Sequence, residues 1–475
     1  MSKLIKNTVI YTIGNSLPMA VTFFLLPLYT KYLSPYEYGI VGSMEAAKIF
    51  FTILFSMCVE RSIVRLYWEN ETETSKKEFL GVVFFILILI SVLGLVISLL
   101  LKDSVQFFFK NINFYPYILI TLFTSFLSTY EHLPKLYFRL KENAAGFVTL
   151  SFVYFILSTS FIIYFVVLNK QGALGYLKGQ LIASIIITLI YIYISIKISC
   201  INFNLKIFKK IFSYSLPFIP PLMVSWFINQ SNRVFLENTV SLESVGIFSF
   251  SNKLSIATSL FTTALMVSFE PNFYRLASGS DRDRAKIKTF LNYFILVAIY
   301  SSFIFLFLIN EVLYMFFDEK YSGTIFVISI ITLSNIFGTG TGITGLFFQQ
   351  SKKMIPNMYI SISAAILIFL LYFFLIPNFQ IYGAAISLLI TSMYAFTASY
   401  FYTKNNCFYV ELPLIKYLIT ITFLIFIFLI SNYLTSFFNF YYYLIFKILI
   451  ISMLIFFFYR KYQKELFFVT QNISN

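Results

Sequence analysis

The stretch LGVVFFILILISVLGLVISLLL, residues 80–101, decides the fold, because it contains no charged side chain. A run of about 20 apolar residues is long enough to cross the hydrocarbon core of a bilayer as an α-helix. Similar apolar runs recur at Leu181–Ile196 and, with the single charge of Lys447, at Tyr442–Phe458. They are continuous, whereas the strands of a membrane β-barrel alternate apolar and polar residues. The sequence therefore predicts an all-α polytopic membrane protein.

The composition of the 475-residue chain agrees with this class. Hydrophobic residues make up 59% of the chain, charged residues 12%, and the mean hydropathy is +0.83. A soluble domain carries about 25% charged residues. The net charge of +15 would suggest nucleic acid binding in a soluble protein. Here the charges lie in loops and indicate membrane orientation instead, so no nucleic-acid partner is expected.

The apolar runs predict about 14 spans of roughly 20 residues each. Their lengths and spacing leave only short loops between them. The predicted spans are 8–30, 37–59, 79–101, 112–134, 146–168, 174–196, 207–229, 243–270, 288–309, 323–349, 356–377, 381–403, 413–431 and 441–459.

Lysine and arginine residues are distributed unevenly between the two sides of these spans. With the N-terminus in the cytoplasm, 25 of the 35 fall on the cytoplasmic side, seven on the other side and three inside spans. Cytoplasmic loops of membrane proteins carry such an excess. The asymmetry therefore predicts cytoplasmic N- and C-termini. It also places Cys58, Cys200 and Cys407 near the cytoplasmic side.

Two octapeptides, VERSIVRL (59–66) and FEPNFYRL (269–276), carry the same charged pattern. In each, a Glu is followed five residues later by Arg-Leu, at the inner ends of spans 2 and 8. Other markers recur in the same order along the chain. They are Leu17-Pro18 with Leu216-Pro217, Gly39 with Gly246, Phe138 with Phe348, and Gly175 with Gly383.

This ordered series predicts two repeats of six helices each. Parallel repeats of this kind are related by an axis along the membrane normal, and transporters place their substrate site between them. The predicted segments are an N-terminal six-helix lobe at 1–200, a C-terminal six-helix lobe at 205–404, an extra helix pair at 413–462 and a cytoplasmic tail at 463–475.

Ionisable residues inside spans are the first candidates for substrate binding, since charges at that depth are costly and face a partner or water. Glu45 and Lys48 lie three residues apart in span 2, and Lys253 lies in span 8, its counterpart. One interpretation places Lys48 and Lys253 in a shared cationic cavity. It is extended inward by residues at and after the end of span 4, namely Glu131, His132, Lys135 and Arg139. In the other, Glu45 and Lys48 neutralise each other and Lys253 reaches the interface.

Further candidates lie at the ends of corresponding spans. Lys31 and Arg233 follow spans 1 and 7 at the outer mouth, where they are either substrate contacts or interfacial anchors. Each glutamate of the repeated octapeptides is expected to pair with the Arg five residues on or with loop cations. The predicted inner gate comprises Glu60, Arg61, Arg65, Glu270 and Arg275.

The leading helix of each lobe carries prolines. A proline removes a backbone hydrogen bond and kinks a membrane helix, which suits hinge bending. The predicted hinge residues are Pro18, Pro27, Pro217, Pro220 and Pro221.

Three segments resemble a known family. IKNTVIYTIGNSLPMAVTFFLLPLYTKYLSPYEYGIVG (5–42) resembles the first two helices of the bacterial polysaccharide-biosynthesis flippases, the Wzx-type O-antigen and capsule translocases. SLPFIPPLMVSWFINQSNRVFLENTVSLESVGIFSFSNKL (215–254) resembles their seventh and eighth helices, with Asn232 where many members have Asp. IYGAAISLLIT (381–391) is similar to their twelfth helix.

The resemblance implies the fold of the multidrug/oligosaccharidyl-lipid/polysaccharide exporter superfamily, with two six-helix lobes in a V plus helices 13 and 14. It implies a transporter, not an enzyme, in the bacterial inner membrane. Its substrate would be an undecaprenyl-diphosphate-linked oligosaccharide, flipped from the cytoplasmic to the periplasmic leaflet. The implied partners are this substrate, membrane lipids, a polysaccharide polymerase and the chain-length machinery. No cofactor is implied.

Alternative functions stay open at this point. A cation-coupled drug antiporter of the same superfamily needs a membrane-embedded carboxylate, and the predicted spans 1 and 7 contain no Asp or Glu. A lipid II or teichoic-precursor flippase is a second alternative. A membrane glycosyltransferase or polymerase would need catalytic acids or long extramembrane loops, and neither is evident. No Walker motif or metal-type cysteine spacing is present either.

Overall fold

The computed structural model describes residues 21, 23–200, 204–277, 279, 281–434, 444–456 and 460. These residues form helices and turns without a β-strand, so the predicted all-α fold is confirmed. The helices are α1 (23–32), α2 (Pro35–Ser56), α3 (Glu60–Leu66), α4 (Glu73–Leu100), α5 (Lys102–Phe108), α6 (Leu119–Ser128), α7 (His132–Leu140), α8 (Ala144–Ile163), α9 (Gly172–Ile198), α10 (Leu205–Ser215), α11 (Ile219–Thr239), α12 (Leu242–Ala277), α13 (Asp281–Phe316), α14 (Ile325–Gln350), α15 (Met354–Asn406), α16 (Leu414–Leu434) and α17 (Leu444–Phe456).

Eight helical segments in the described part of the chain are long and apolar enough to cross a membrane, and two shorter apolar segments, Tyr417–Ile430 and Leu444–Phe456, follow them. The long helix α15 is interrupted at Gln380, whose φ is +50°. This interruption falls between the predicted spans 356–377 and 381–403. The protein is thus a multi-pass membrane protein, and the total of 14 spans stays a prediction.

The chain divides into two compact units, Met1–Ser249 and Phe250–Asn475, with the boundary inside α12. The first unit contains α1 to α11 and the first turns of α12. The predicted lobes, 1–200 and 205–404, were based on sequence repeats and stay a prediction. So do the helix pair and the tail, and the tail lies outside the described residues.

Within the first unit, α2 and α12 cross in backbone contact at two glycines. Helix α2 begins with a capping box, in which Ser34 accepts from the Glu37 N–H and Glu37 accepts from the Ser34 N–H. One turn later, a Cβ added to Gly39 would lie 1.9 Å from the Leu242 carbonyl oxygen. A Cβ on Gly246 would lie 1.9 Å from the Pro35 carbonyl oxygen. The contact is therefore reciprocal, and only glycine allows two helices to approach so closely.

Helix α10 is amphipathic and packs on the first unit. Its Ile211 is fully buried in an apolar cluster with residues of α3, α4, α7 and α9. Lys206 and Lys209 are exposed on the opposite side. This arrangement is typical of a helix at the membrane interface, although most of α10 lies within the predicted span 207–229.

In the second unit, two polar contacts attach the last helices to α13. Tyr417 of α16 donates a hydrogen bond to Asn292 at 2.9 Å. Lys447 of α17 lies 2.9 Å and 3.1 Å from the two carboxylate oxygens of Glu311. The side chains of Lys447 and Glu311 are 0% and 6% exposed, so this is a buried ion pair. Sequence reasoning placed Lys447 inside a span but did not find its partner.

Candidate functional site

Helix α2 presents one face to α11 and another to the interior of the first unit. The Trp226 indole N–H of α11 donates to the Ala46 carbonyl at 2.9 Å, and the Trp226 ring lies 4.9 Å from the Phe50 ring. Each residue turns a helix by about 100°. Glu45 and Lys48 therefore lie on a different face of α2 from Ala46 and Phe50.

Both predicted ionisable residues of α2 have tyrosine partners on other helices. The Lys48 ammonium donates to the Tyr154 hydroxyl of α8 at 3.3 Å. The Tyr176 hydroxyl of α9 donates to the Glu45 carboxylate at 2.8 Å. Lys48 also interacts electrostatically with Glu45 and with Glu131. The charge of Lys48 is thus partly neutralised inside the first unit.

Glu131 forms an ion pair with Lys135 at 2.7 Å. This pair lies near the end of span 4, on the side that is predicted to be cytoplasmic. The neighbouring His132 has a buried Nε2 atom without a hydrogen-bond partner among the described atoms. Arg139, at the end of α7, is exposed. The structure therefore brings Glu131 close to Lys48, whereas Arg139 lies at the surface.

The prediction that Arg233 follows span 7 at the outer mouth is wrong in position. Helix α11 continues to Thr239, ten residues beyond the predicted end of the span at 229. Arg233 consequently lies inside the helix and is 5% exposed. Its Nε donates to the Ser249 hydroxyl at 3.2 Å and its Nη1 to the Gln230 side chain at 2.5 Å. Lys31, by contrast, is exposed near the end of α1.

The longer α11 also brings in a carboxylate that sequence reasoning missed. Glu237 is 1% exposed, and its carboxylate accepts the Asn111 peptide N–H at 3.1 Å. The Asn111 side chain in turn donates to the Glu237 carbonyl at 2.6 Å. The seventh span therefore contains a carboxylate, although the predicted range 207–229 does not include it. The absence of Gly and Pro from 222–239 was a sequence signal for the longer helix.

The predicted pairing of Glu60 with Arg65 is not seen in the structure. Glu60 and Arg65 are five residues apart, and side chains at that spacing on a helix point in different directions. Arg65 instead lies 4.0 Å from Glu69, four residues further along the chain. Glu60 has one buried oxygen without a hydrogen-bond partner among the described atoms, and Arg61 is exposed. Glu69 also pairs with Lys210 of α10 at 2.7 Å, and this contact lowers the pKa of Glu69.

The corresponding residues of the second repeat lie near the end of α12. Tyr274, one turn after Glu270, donates to the Gln349 side chain and interacts electrostatically with the Glu270 carboxylate. Arg275 is exposed. Lys253 is half-buried in α12 and belongs to the second unit.

The prolines of the seventh span lie where the helix changes type. Pro217 is part of a 3-10 turn, Leu216–Phe218, that separates α10 from α11. Pro220 and Pro221 occupy the first turn of α11, where a missing N–H is tolerated. Pro27 lies within the continuous helix α1, and Pro18 lies outside the described residues.

A family model described as "Polysaccharide biosynthesis protein" matches residues 4–277, more than half of the chain. The chain belongs to this family. The curated capsular polysaccharide biosynthesis protein CapF of Staphylococcus aureus is 24% identical over 217 residues, which cover 45% of this chain and 54% of that protein. The chain thus spans about half the length of this curated relative.

Two solved structures share the fold of this family member. A structure titled "Lipid II flippase MurJ, inward closed conformation" has a TM-score of 0.78 at 17% identity and covers 96% of this chain and 100% of its own. An inward-facing multidrug resistance MATE family transporter of the MOP superfamily has a TM-score of 0.58 at 12% identity, with 83% and 98% covered. The resemblance to a polysaccharide-biosynthesis family is confirmed by the family match, and the chain shares its fold with these two transporters.

Proposed function

We propose that the protein moves an undecaprenyl-diphosphate-linked oligosaccharide, an O-antigen or capsule repeat unit, from the cytoplasmic to the outer leaflet by alternating access. The family match over residues 4–277 carries this proposal. A diphosphate cannot cross hydrocarbon unaided, because charge is poorly tolerated there. A protein with ionisable side chains deep inside its helical units supplies the polar surroundings that such a head group needs.

The substrate contacts are part of this proposal. Lys48 and Lys253 are both half-buried within long helices, and this supports contact with the diphosphate. Lys31 and Arg139 are exposed at opposite ends in the predicted topology, which suits contacts made on exit and on entry. Arg233 and Glu45 complete the proposed set. Both already have hydrogen-bond partners, so we expect them to position the site.

The moving parts are also proposed. The gate comprises Glu60, Arg61, Arg65, Glu270 and Arg275, and the hinges are Pro18, Pro27, Pro217, Pro220 and Pro221. The 3-10 turn at Leu216–Phe218 supports bending at that point, because its hydrogen-bond geometry is poorer than that of an α-helix.

The experiment is deletion of the gene in its native host, followed by complementation with the variants Lys48→Ala and Lys253→Ala. Loss of surface glycan, with the lipid-linked repeat unit accumulating on the inner leaflet at unchanged protein level, is the expected result. Lys197→Ala is the control, since Lys197 is exposed at the end of α9, and it should restore the glycan fully. Normal surface glycan from both test variants would reject the assigned role.

A second candidate function is cation-coupled drug export. The buried Glu237 favours it, because it supplies the membrane-embedded carboxylate that such antiporters need. Drug resistance conferred on a host without its own efflux pumps, and lost with Glu237→Gln, would select this function. A lipid II or teichoic-precursor flippase is distinguished by the lipid-linked sugar that accumulates on deletion.

The proposed location is the bacterial cytoplasmic membrane, with both chain termini in the cytoplasm. The excess of Lys and Arg on one side of the spans supports this orientation. A polysaccharide polymerase and the chain-length machinery are the proposed partners that receive the product on the outer side.

A further inference from the structure

We propose that the first unit binds an anionic phospholipid of the cytoplasmic leaflet, with the lipid phosphate held by lysines where α4, α9 and α10 meet. The four lysines are Lys77, Lys197, Lys206 and Lys209, and all four are exposed. They belong to the unit Met1–Ser249. The ligand is a lipid of the surrounding bilayer and not the flipped substrate, so this site does not rest on the proposed function.

One apolar cluster brings the three lysine-bearing segments together. Phe79 of α4, Ile198 of α9 and Ile207 of α10 all pack in it or against it. Each of them lies one or two residues from one of the exposed lysines. A backbone hydrogen bond also joins the first two segments, since the Cys200 N–H donates to the Lys77 carbonyl at 2.9 Å. The lysines therefore lie around the edge of a single buried cluster.

The charge of these four lysines is not neutralised by neighbouring side chains. Nearby lysines do have partners, because Lys76 lies 3.1 Å from Glu73 and Lys210 lies 2.7 Å from Glu69. The four lysines of the site form no ion pair with any residue that the structure describes. A carboxylate, Glu78, adjoins Lys77 in the sequence, so four positive charges and one negative charge leave a net charge of +3. Basic clusters of this kind attract anionic lipid head groups.

The lysines lie at the level of the lipid head groups. Lys77 comes three residues before the apolar run that begins at Leu80, and Lys197 directly follows the predicted span that ends at Ile196. The other two lysines lie on the amphipathic helix α10, and such helices lie at the membrane interface. The flexible methylene stem of lysine allows its ammonium group to reach a phosphate at this level. In the predicted topology this is the cytoplasmic surface, where anionic lipids are present.

An exposed apolar stripe on α9 leads from the lysines into the membrane. Leu189, Tyr193 and Ile196 follow one another at intervals of four and three residues, so they share one face of the helix. More than half of each of these side chains is exposed. Lys197 is four residues after Tyr193 and lies on the same face. A phospholipid with its phosphate at Lys197 can therefore lay an acyl chain along the stripe, which a soluble acidic protein would leave uncovered.

The experiment measures which lipid lies beside this stripe. The chain has two tryptophans, so Trp68→Phe and Trp226→Phe together with Tyr193→Trp give a full-length reporter protein with one Trp, on the stripe. The reporter is reconstituted in phosphatidylcholine vesicles that contain an equal, minor fraction of either phosphatidylglycerol or phosphatidylcholine brominated on the acyl chains. Bromine quenches Trp fluorescence at short range. We expect phosphatidylglycerol to be preferred about fivefold, which corresponds to about 1 kcal/mol.

The variants test whether the four lysines cause this preference. The test variant carries Lys77→Gln, Lys197→Gln, Lys206→Gln and Lys209→Gln in the reporter, and it should lose the preference. Arginine at the same four positions keeps the charge and should keep the preference. The double variant Lys206→Gln with Lys209→Gln changes only the exposed side of α10, so it replaces the test variant where that variant fails to fold, and it should weaken the preference.

The matched control removes the same number of exposed lysines elsewhere in the chain and should keep the preference. Its substitutions are Lys102→Gln, Lys170→Gln, Lys352→Gln and Lys404→Gln. If the control also loses the preference, overall charge and not this site attracts the lipid, and the proposal is overturned.

Three further results would overturn the proposal. Equal quenching of the reporter by the two brominated lipids would leave the lysines to a soluble acidic partner. A preference that survives in the test variant would place its origin outside the four lysines. Undecaprenyl-diphosphate N-acetylglucosamine is expected to leave the quenching by brominated phosphatidylglycerol unchanged, and displacement by it would assign the surface to the flipped substrate.

Discussion

At the scale of single residues, the contacts of Lys48 and Glu237 join parts of the chain that are far apart in the sequence. Lys48 was expected inside a span, and it is half-buried in α2. Its partner Tyr154 is 106 residues away in the sequence, and the partner of Glu237 is 126 residues away. Such pairs depend on how helices pack against one another. Hydropathy records only how polar one segment is, so it does not report them.

The two crossing glycines give a prediction at this scale. In Gly39→Ala and Gly246→Ala, the added Cβ would lie 1.9 Å from a backbone carbonyl oxygen. We expect each substitution to destabilise the protein by about 1–3 kcal/mol, as overpacking does. Thermal unfolding in detergent measures the effect. Gly342→Ala is the control, since nothing lies within 4 Å of a Cβ there. Equal unfolding temperatures for all three variants would contradict the backbone contact.

At the scale of helices, apolar runs predicted the positions of α4, α9 and α14 well, because these spans are almost uniformly apolar. The predicted end of the seventh span, at residue 229, comes before the observed end of α11 at Thr239. The residues after 229 include Asn232, Arg233 and Glu237, which lower the hydropathy of the segment although all three are buried. Arg233 donates to Ser249 of α12, and Glu237 accepts from Asn111 in the loop before α6. The helix therefore continues where a polar segment alone would be predicted to end it.

The junction between α10 and α11 gives a prediction for Pro217. Replacing Pro217 with Ala supplies a backbone N–H and allows the 3-10 turn to become α-helical. We expect slower flipping at an unchanged protein level, measured with a fluorescent undecaprenyl-diphosphate N-acetylglucosamine in proteoliposomes. Pro413→Ala is the control, because Pro413 directly precedes α16 and interrupts no helix. A flipping rate equal to that of the wild type would exclude a hinge at this junction.

The buried ion pair between α13 and α17 gives a second prediction at this scale. Lys447→Met leaves Glu311 buried without its partner, which is expected to cost about 3–5 kcal/mol. The double variant Lys447→Met with Glu311→Gln removes both charges and should regain most of this stability. Denaturant unfolding of both variants measures the difference. If the single variant is as stable as the double variant, Lys447 and Glu311 do not hold α17 in place.

At the scale of the whole molecule, the distribution of Lys and Arg predicts which side of the membrane each loop occupies. No contact within the protein reports this orientation, since it depends on the membrane. We expect cysteines introduced at Glu71 and Gly279, both exposed, to resist a membrane-impermeant maleimide in intact cells. The background has Cys58, Cys200 and Cys407 replaced by Ser. Asn169→Cys, exposed on the predicted outer side, is the positive control, and labelling of the first two sites would reverse the topology.

The reciprocal contact of Gly39 and Gly246 has a consequence for the ancestry of the chain. Each glycine meets the carbonyl four residues before the other glycine, Leu242 for Gly39 and Pro35 for Gly246. In a half-length ancestor with a single copy of the repeat, one glycine would have met its own equivalent across a twofold axis. If the predicted repeats arose by gene duplication, the tight crossing would preserve a homodimer interface of that ancestor.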